Sequence, residues 1–432
     1  MDRSWDILHQ RGVCERVHHE NISTWKPTLM PSVQQRWSHA QAHTLGGAAA
    51  ALGAALMLAG SGLLSGCTQA SKPGEPLQVE AVIGETGSYP GQFSYPRAID
   101  TDGRSLWVID KLARVQRFDP RTGEPLVWFR MPEFKLGKPT GITIASATYP
   151  DKSIHDAIYI ADTHYHRVMV YALPEFEAGA HQDKASNPAQ RVQTDTPREI
   201  TPTLIGQFGS FGDGPGQFLY PTDIAVQMNQ DRSAIEHIFV SEYGGNDRIN
   251  VFGPDYDFEF AFGSLGTGED ALAIEFSRPQ SLAIDPNTNE LIVSDSCHHR
   301  LGRFTLDGTL LGWIGSPDPA PRPDSPGRTD STSPVHFAYP YGLVMLADSS
   351  LLVTEFGASE VQRIDLTTGT SLGRYGAPGR GEGQLSTPWA SVVIGQMTYV
   401  LDSGNNRILA AHLPGIRSRV PNGLTDPDKV QQ

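Results

Sequence analysis

Six acids recur at one position of a repeating pattern: Asp110, Asp162, Glu242, Asp295, Glu355 and Asp402. Each closes a short apolar run, such as Leu106-Trp107-Val108-Ile109-Asp110, and a carboxylate held by a rigid run could act as a general acid or base. A catalytic group is needed once, however, and these appear in every unit. They are read instead as acceptors for turn N–H groups or as partners of the arginine that opens the next run: Arg114, Arg167, Arg248, Arg300 and Arg407. The fifth unit has Ser359-Glu360-Val361 at that place and no arginine. His164, His166, His298 and His299 lie between the second and third runs of their units. Imidazoles ligate metals, yet no third ligand stands at a fixed spacing, so they are read as turn residues. Cys297 beside His298 has the composition of an activated thiol. Sequence neighbours need not point together, and a small apolar buried role is expected for the cysteine.

Each acid belongs to a unit of three runs. A proline opens the first, as in Tyr95-Pro96-Arg97-Ala98-Ile99; the acid ends the second; the third starts near the arginine. The opening prolines stand at 96, 139, 221, 279, 340 and 388. Steps of 43 to 82 residues suit four-stranded propeller blades, the longer ones carrying insertions. With 44 Gly and 32 Pro among short β-rich runs, the composition is that of an all-β, turn-rich chain. Gly84–Phe93, Gly209–Phe218 and Gly379–Leu385 read as connectors between blades, their Phe or Leu plugging between sheets. None is a phosphate loop, because no Lys-Ser/Thr follows and each leads into a strand. Leu77–Gly84 alternates like a half-buried strand but precedes the first unit, while the sixth unit lacks an outer strand. The expected fold is therefore a six-bladed β-propeller over 77–413, closed by its N-terminal strand, which leaves no open edge. Glu175–Pro202 and Ser316–Ser333 read as polar, solvated excursions.

The flanks carry a different message. Gly46–Gly66 is almost wholly Ala, Gly, Leu and Met without charge and ends in Leu64-Ser65-Gly66-Cys67. That ending resembles the bacterial lipobox, which implies an export segment over 1–66, acylation at Cys67 and a flexible tether over 67–76. Met30 is an alternative start to Met1, and Thr68 favours the outer membrane or cell surface of a bacterial envelope. Residues 414–432 read as a polar, disordered tail. The net charge is −14 over 432 residues, and an acidic surface of this kind argues against nucleic-acid partners. Three cysteines, Cys14, Cys67 and Cys297, make no disulfide framework and no CxxC pair.

The Pro-opened starts, the Val-x-Asp/Glu…Arg-Ile/Val endings and the Gly-rich connectors resemble those of the NHL-repeat β-propellers. Val400-Leu401-Asp402-Ser403-Gly404-Asn405-Asn406-Arg407-Ile408 is the nearest match to the repeat's signature. The resemblance implies the fold and not the function, since these propellers host enzymes and passive binders alike. In the family's zinc lyases, the peptidylglycine amidating lyases, histidine follows the strand-opening proline on three blades. Here Arg97, Thr140, Thr222, Gln280, Tyr341 and Trp389 stand there, and Asp223 is the sole acid one residue further on. No catalytic or metal-ligating residue is assigned. These seven residues are expected to surround one mouth of the central channel and to suit a peptide, a glycan or another neutral to anionic ligand, with Tyr95, Tyr220 and Tyr339 at the side. The expectation is a monomeric, lipid-anchored propeller that binds or scaffolds an envelope protein, peptide or glycan and meets the membrane only through its anchor. The alternatives are a metal-dependent lyase or lactonase-like hydrolase at the same mouth, and a structural subunit of a larger envelope complex. No cofactor is expected, although a calcium site built from Asp223 and backbone carbonyls stays open.

Overall fold

The structure, a computed structural model, describes residues 75–174, 197–269, 273–315 and 335–419. Six antiparallel sheets stand around a channel. Their channel-lining strands are Pro96–Thr101, Gly141–Thr148, Tyr220–Met228, Pro279–Asp285, Pro340–Met345 and Ser391–Ile394. Proline suits this position, because the first residue of an edge strand has no ladder partner for an N–H. The second strands are continuous apolar runs since both of their faces are covered by neighbouring blades: Leu106–Asp110 and Leu351–Glu355 are buried throughout. Outer strands meet solvent on one side, and Phe258–Phe262 is correspondingly half-exposed.

Five blades take their strands in chain order. The sixth borrows its outer strand from the start of the domain: Val79–Ile83 pairs antiparallel with Arg407–His412, Val79 opposite Ala411 and Ile83 opposite Ile408. Closure by the N-terminal strand, expected from the unpaired sixth unit, is what the fold contains.

Apolar clusters fill the wedges between blades. Phe93, Phe218, Phe276 and Leu385, one from each of four connectors, are completely buried. Burying such a side chain contributes about 1.5–3 kcal/mol. Phe218 seats in this way because Gly209 has φ +90° and a Cβ there would lie 2.4 Å from the ring.

Two segments depart from expectation. Arg198–Glu199, at the end of the first excursion, pairs parallel with Val127 and Trp128 and gives blade 1 a fifth strand. This covers an edge that would otherwise expose its ladder groups. The supposedly disordered tail is packed as far as Arg419. Ile416 is buried beside Leu346 and Leu413, and Ser418 exchanges bonds with Gly395 (2.7 Å to its carbonyl, 2.9 Å from its N–H to the hydroxyl). The apolar pair Leu413 and Ile416 supplies the reason, since the gap beneath blades 5 and 6 gives them somewhere to be buried. Residues 420–432, the export segment, Cys67 and most of the tether lie outside the described residues.

Candidate functional site

The repeated acids are structural. Arg114 reaches Asp110 at 2.7 Å, Arg167 reaches Asp162 at 2.9 Å, Arg248 reaches Glu242 at 2.7 Å, and Arg300 and Arg407 reach Asp295 and Asp402 at 2.8 Å. The carboxylates also accept from the chain just before the next inner strand, as in Leu219 N–H to Glu242 at 2.6 Å and Ser386 N–H to Asp402 at 2.7 Å. The remaining guanidinium donors hold connector carbonyls, Arg114 to Gln92 at 2.6 Å and Arg407 to Gln384 at 2.8 Å. In blade 5 the missing arginine is replaced from the outer strand. Arg374 pairs with Glu360, and burial together with the neighbouring Glu360 charge pushes the Glu355 carboxyl up to about 8.

The histidines serve the turns. His166, His299 and Asn406 each end a 3₁₀ turn in the left-handed region, φ 56–57°. Their side chains reach the next blade: His166 Nδ1 to the Leu219 carbonyl, His299 Nδ1 from Tyr339 N–H at 3.1 Å, and Asn406 Oδ1 from Tyr95 N–H at 2.6 Å. Asp247 and Ser359 do the same for Arg278 and Thr387. His298 Nδ1 faces Asp295 at 2.7 Å and Nε2 faces the Gly266 carbonyl at 3.2 Å, and Cys297 is disulfide-bonded, so the two make no activated thiol. Among the described residues no three His, Cys, Asp or Glu side chains are grouped to hold a metal.

Residues following the strand-opening prolines converge on one end of the channel, where they form a plug. Arg97, Thr140, Thr222, Gln280, Tyr341 and Trp389 are 0–5% exposed. Arg97 lies 5.4 Å from the Trp389 ring and 5.7 Å from Tyr95; Trp389 meets Tyr341 edge-on at 5.1 Å; Arg278 lies 5.6 Å from Tyr341 and 4.5 Å from Tyr243. Arg278 also donates Nε–H to Gln280 at 3.0 Å. Such cation–aromatic contacts join five blades across the end of the channel. Two threonines reach the next blade: Thr140 bonds Thr163 of its own blade at 2.7 Å and lies 3.4 Å from the Pro221 and Thr222 carbonyls, and Thr222 bonds Ser241 of its own blade at 2.7 Å and donates to the Pro279 carbonyl at 3.0 Å. Nearby, burial and the charges of Lys138 and Arg97 push the His164 imidazole down to about 4, so it is neutral at pH 7. Tyr220 stacks on Tyr243 at 5.3 Å and Tyr339 meets His299 at 4.5 Å.

Beyond the plug runs a cavity of about 410 Å³, walled by all six inner strands and, at its far end, by Ser418 and Arg419. Arg97, Thr140, Asp223, Gln280, Tyr341 and Trp389 border it, whereas Thr222 does not. The wall mixes aliphatic side chains with polar ones and carries two carboxyls, Asp100 and Asp223, and two guanidiniums, Arg97 and Arg419. Asp223 accepts from Ser281 Oγ at 2.7 Å and Leu282 N–H at 3.0 Å; Asp100 accepts from Ile144 N–H at 2.6 Å and Thr101 N–H at 2.8 Å. Each bond but the last crosses to the adjacent blade. Burial pushes Asp100 up to about 7, the Asp223 charge adding to it, and pushes Asp223 up to about 6. Asp100, Arg278 and Arg419 escaped the sequence reading. Asp100 had a signal, an acid within an apolar inner strand, while Arg278 occupies the pre-proline place of Tyr95 and Tyr339. Arg419 had none.

The sequence profile of the NHL repeat matches residues 276–304. Peptidyl-glycine alpha-amidating monooxygenase of Mus musculus is 32% identical over 104 residues, 24% of this chain and 10% of that protein. The Rattus norvegicus protein is 31% identical over 104 residues, with the same shares of 24% and 10%. The chain thus matches about a tenth of the length of these curated relatives. Among solved structures, a streptogramin B lyase aligns at TM-score 0.44 and 14% identity over 76% of this chain and 85% of that one. A structural-genomics protein of unknown function from Bacteroides thetaiotaomicron aligns at 0.46 and 17% over 79% and 74%. The chain carries an NHL repeat within a six-bladed β-propeller.

Proposed function

We propose that this protein is a lipid-anchored propeller of a bacterial cell envelope, probing its surroundings as a binding or scaffold module whose protein, peptide or glycan ligand enters the central channel. The observation carrying this reading is the cavity of about 410 Å³, large enough for a small ligand or one residue of a larger one and lined by every blade. The anchor rests on Leu64-Ser65-Gly66-Cys67 in the sequence. The test is a peptide and glycan screen on the purified protein, repeated with Val344→Trp, which places an indole on the cavity wall. Ligands whose binding is lost in Val344→Trp support the reading; ligands indifferent to it place binding on the outer surface.

A lyase or hydrolase is the second reading, favoured by the local similarity to the amidating monooxygenases. No histidine follows a strand-opening proline, so such chemistry would need an all-oxygen metal site around Asp223. Mass spectrometry after chelator-free dialysis tests it: about one equivalent of calcium or zinc, lost in Asp223→Ala, would favour the enzyme.

A further inference from the structure

One connector between blades is built differently from the rest. Phe93, Phe218, Phe276, Phe337 and Leu385 turn the apolar side chains of five connectors inward and are at most 1% exposed. Between blades 1 and 2 the connecting loop is 131–138, and there Met131 fills the inward place beside Ala113 and Phe129. Phe134 and Leu136 are left over and stand 45% and 58% exposed. The loop is nevertheless held firmly. Met131 N–H donates to the Ala113 carbonyl at 2.9 Å, Lys138 N–H to the Lys111 carbonyl at 3.2 Å, and Leu136 N–H bonds the Tyr165 hydroxyl at 3.1 Å. The Lys111 bond sets the turn of Leu112, itself 36% exposed, against the same loop. Glu133 and Lys138 take φ of 56° and 68°, a region that side chains other than glycine seldom adopt. The fold thus fixes three large apolar side chains in water at the plugged end of the ring.

The charge here runs against that of the chain. Arg130-Met131-Pro132-Glu133-Phe134-Lys135-Leu136-Gly137-Lys138 holds three cations and one acid, in a protein of net charge −14. That acid is paired with Arg167 at 2.8 Å, and the strand acids below it, Asp110 and Asp162, are buried against Arg114 and Arg167. Arg130 and Lys135 are both exposed, and Lys135 stands between the two apolar residues. The Arg130 guanidinium lies 4.7 Å from the centre of the Phe134 ring, so a cation and an aromatic face are presented together.

We infer that this loop docks the propeller on an anionic lipid bilayer, Leu112, Phe134 and Leu136 entering the boundary between headgroups and acyl chains while Arg130 and Lys135 meet the lipid phosphates. Apolar tips flanked by cations are the chemistry of interfacial membrane binding, in which burial and attraction to anionic lipid act together. The same lipids repel the acidic remainder of the surface, which selects this edge of the ring over the others. A bilayer requires no matching shape. A stable protein interface covers about 800 Å² on each partner, more than three side-chain tips supply. The contact is additional to an acyl anchor at Cys67 and independent of any ligand in the channel.

The test is cosedimentation of the full chain, produced without acylation, with vesicles of phosphatidylcholine alone and with vesicles containing about one-third phosphatidylglycerol. Any contribution of the apolar run before Cys67 is common to every variant, so the quantity read is the gain in binding on adding the anionic lipid. That gain is expected to be roughly fivefold or more at low salt and to shrink as salt is raised. Phe134→Ser/Leu136→Ser and, separately, Lys135→Glu should each remove most of it. Leu372→Ser, which changes an exposed leucine on the outer strand of blade 5, should leave it intact. Circular dichroism verifies that the variants are folded. No gain with phosphatidylglycerol, or a gain indifferent to the loop substitutions, would overturn the inference and return the surface to a protein partner. A gain abolished by free glycerol phosphate would overturn it in favour of a soluble anion. The Val344→Trp screen decides the channel reading separately, so either can fail while the other stands.

Discussion

Asp110 and Arg114 are 0% and 1% exposed, so each charge depends on the other and on the chain ends they hold. Removing one partner strands a buried charge; Arg114→Met is expected to destabilise the fold by about 3–5 kcal/mol. The Asp110→Asn/Arg114→Met double variant should lose less than the sum of the single changes, as read by urea denaturation. Blade 5 reverses the logic. Glu355 has an ordinary value of 4.5 and is held at about 8 by burial and Glu360. Its folded form therefore binds a proton that the unfolded form has already released. The resulting stability is complete below about 4.5 and is lost as pH rises through about 8. Glu355→Gln should consequently stabilise the protein at pH 9 by on the order of 1–3 kcal/mol, and the gain should vanish by pH 4. Equal denaturation midpoints for the two proteins at pH 9 would refute this.

Between neighbouring blades, the recurring device is the left-handed turn residue whose side chain holds the residue before the next proline. Asn406 does this between the last blade and the first, with Tyr95 N–H at 2.6 Å. Asn406→Ala leaves that N–H without its acceptor at the seam, and a loss of about 1–2 kcal/mol is expected in thermal or chemical denaturation. This level was largely legible in the sequence. Proline, acid and arginine recur within 18 to 28 residues of chain, and the spare strand at Leu77 could be matched to a sixth unit that lacked one. The channel was less legible, because its character depends on residues remote in sequence. Whether Arg97 offers a cation to a ligand or lies beneath aromatic rings is decided by Tyr95, Tyr341 and Trp389 together, and no local spacing encodes that. The part of the cavity wall made by Ser418 and Arg419 was hidden for the same reason, since they belong to a stretch that reads as tail.

For the whole ring, the N-terminal strand is the one piece joined only at the last blade. Removal of residues 75–84 should uncover Arg407–His412 as an edge and expose the wedge around Leu385 and Val400. Light scattering should report self-association of the shortened protein at concentrations where the intact one stays monodisperse. Hydrogen exchange should accelerate first in Ser391–Ile394 and Met397–Asp402 and later in blade 3.

Pairing Val79 with Ala411 also sets a schedule for folding. At about 5–20 residues per second of synthesis, the first strand waits roughly 20–60 s before its partner exists. Five blades can assemble while it remains single, and the ring is sealed only once Arg407–His412 has been made. During that interval Val79–Ile83 is an unpaired strand able to find the wrong neighbour, which makes it the segment a chaperone would need to shield.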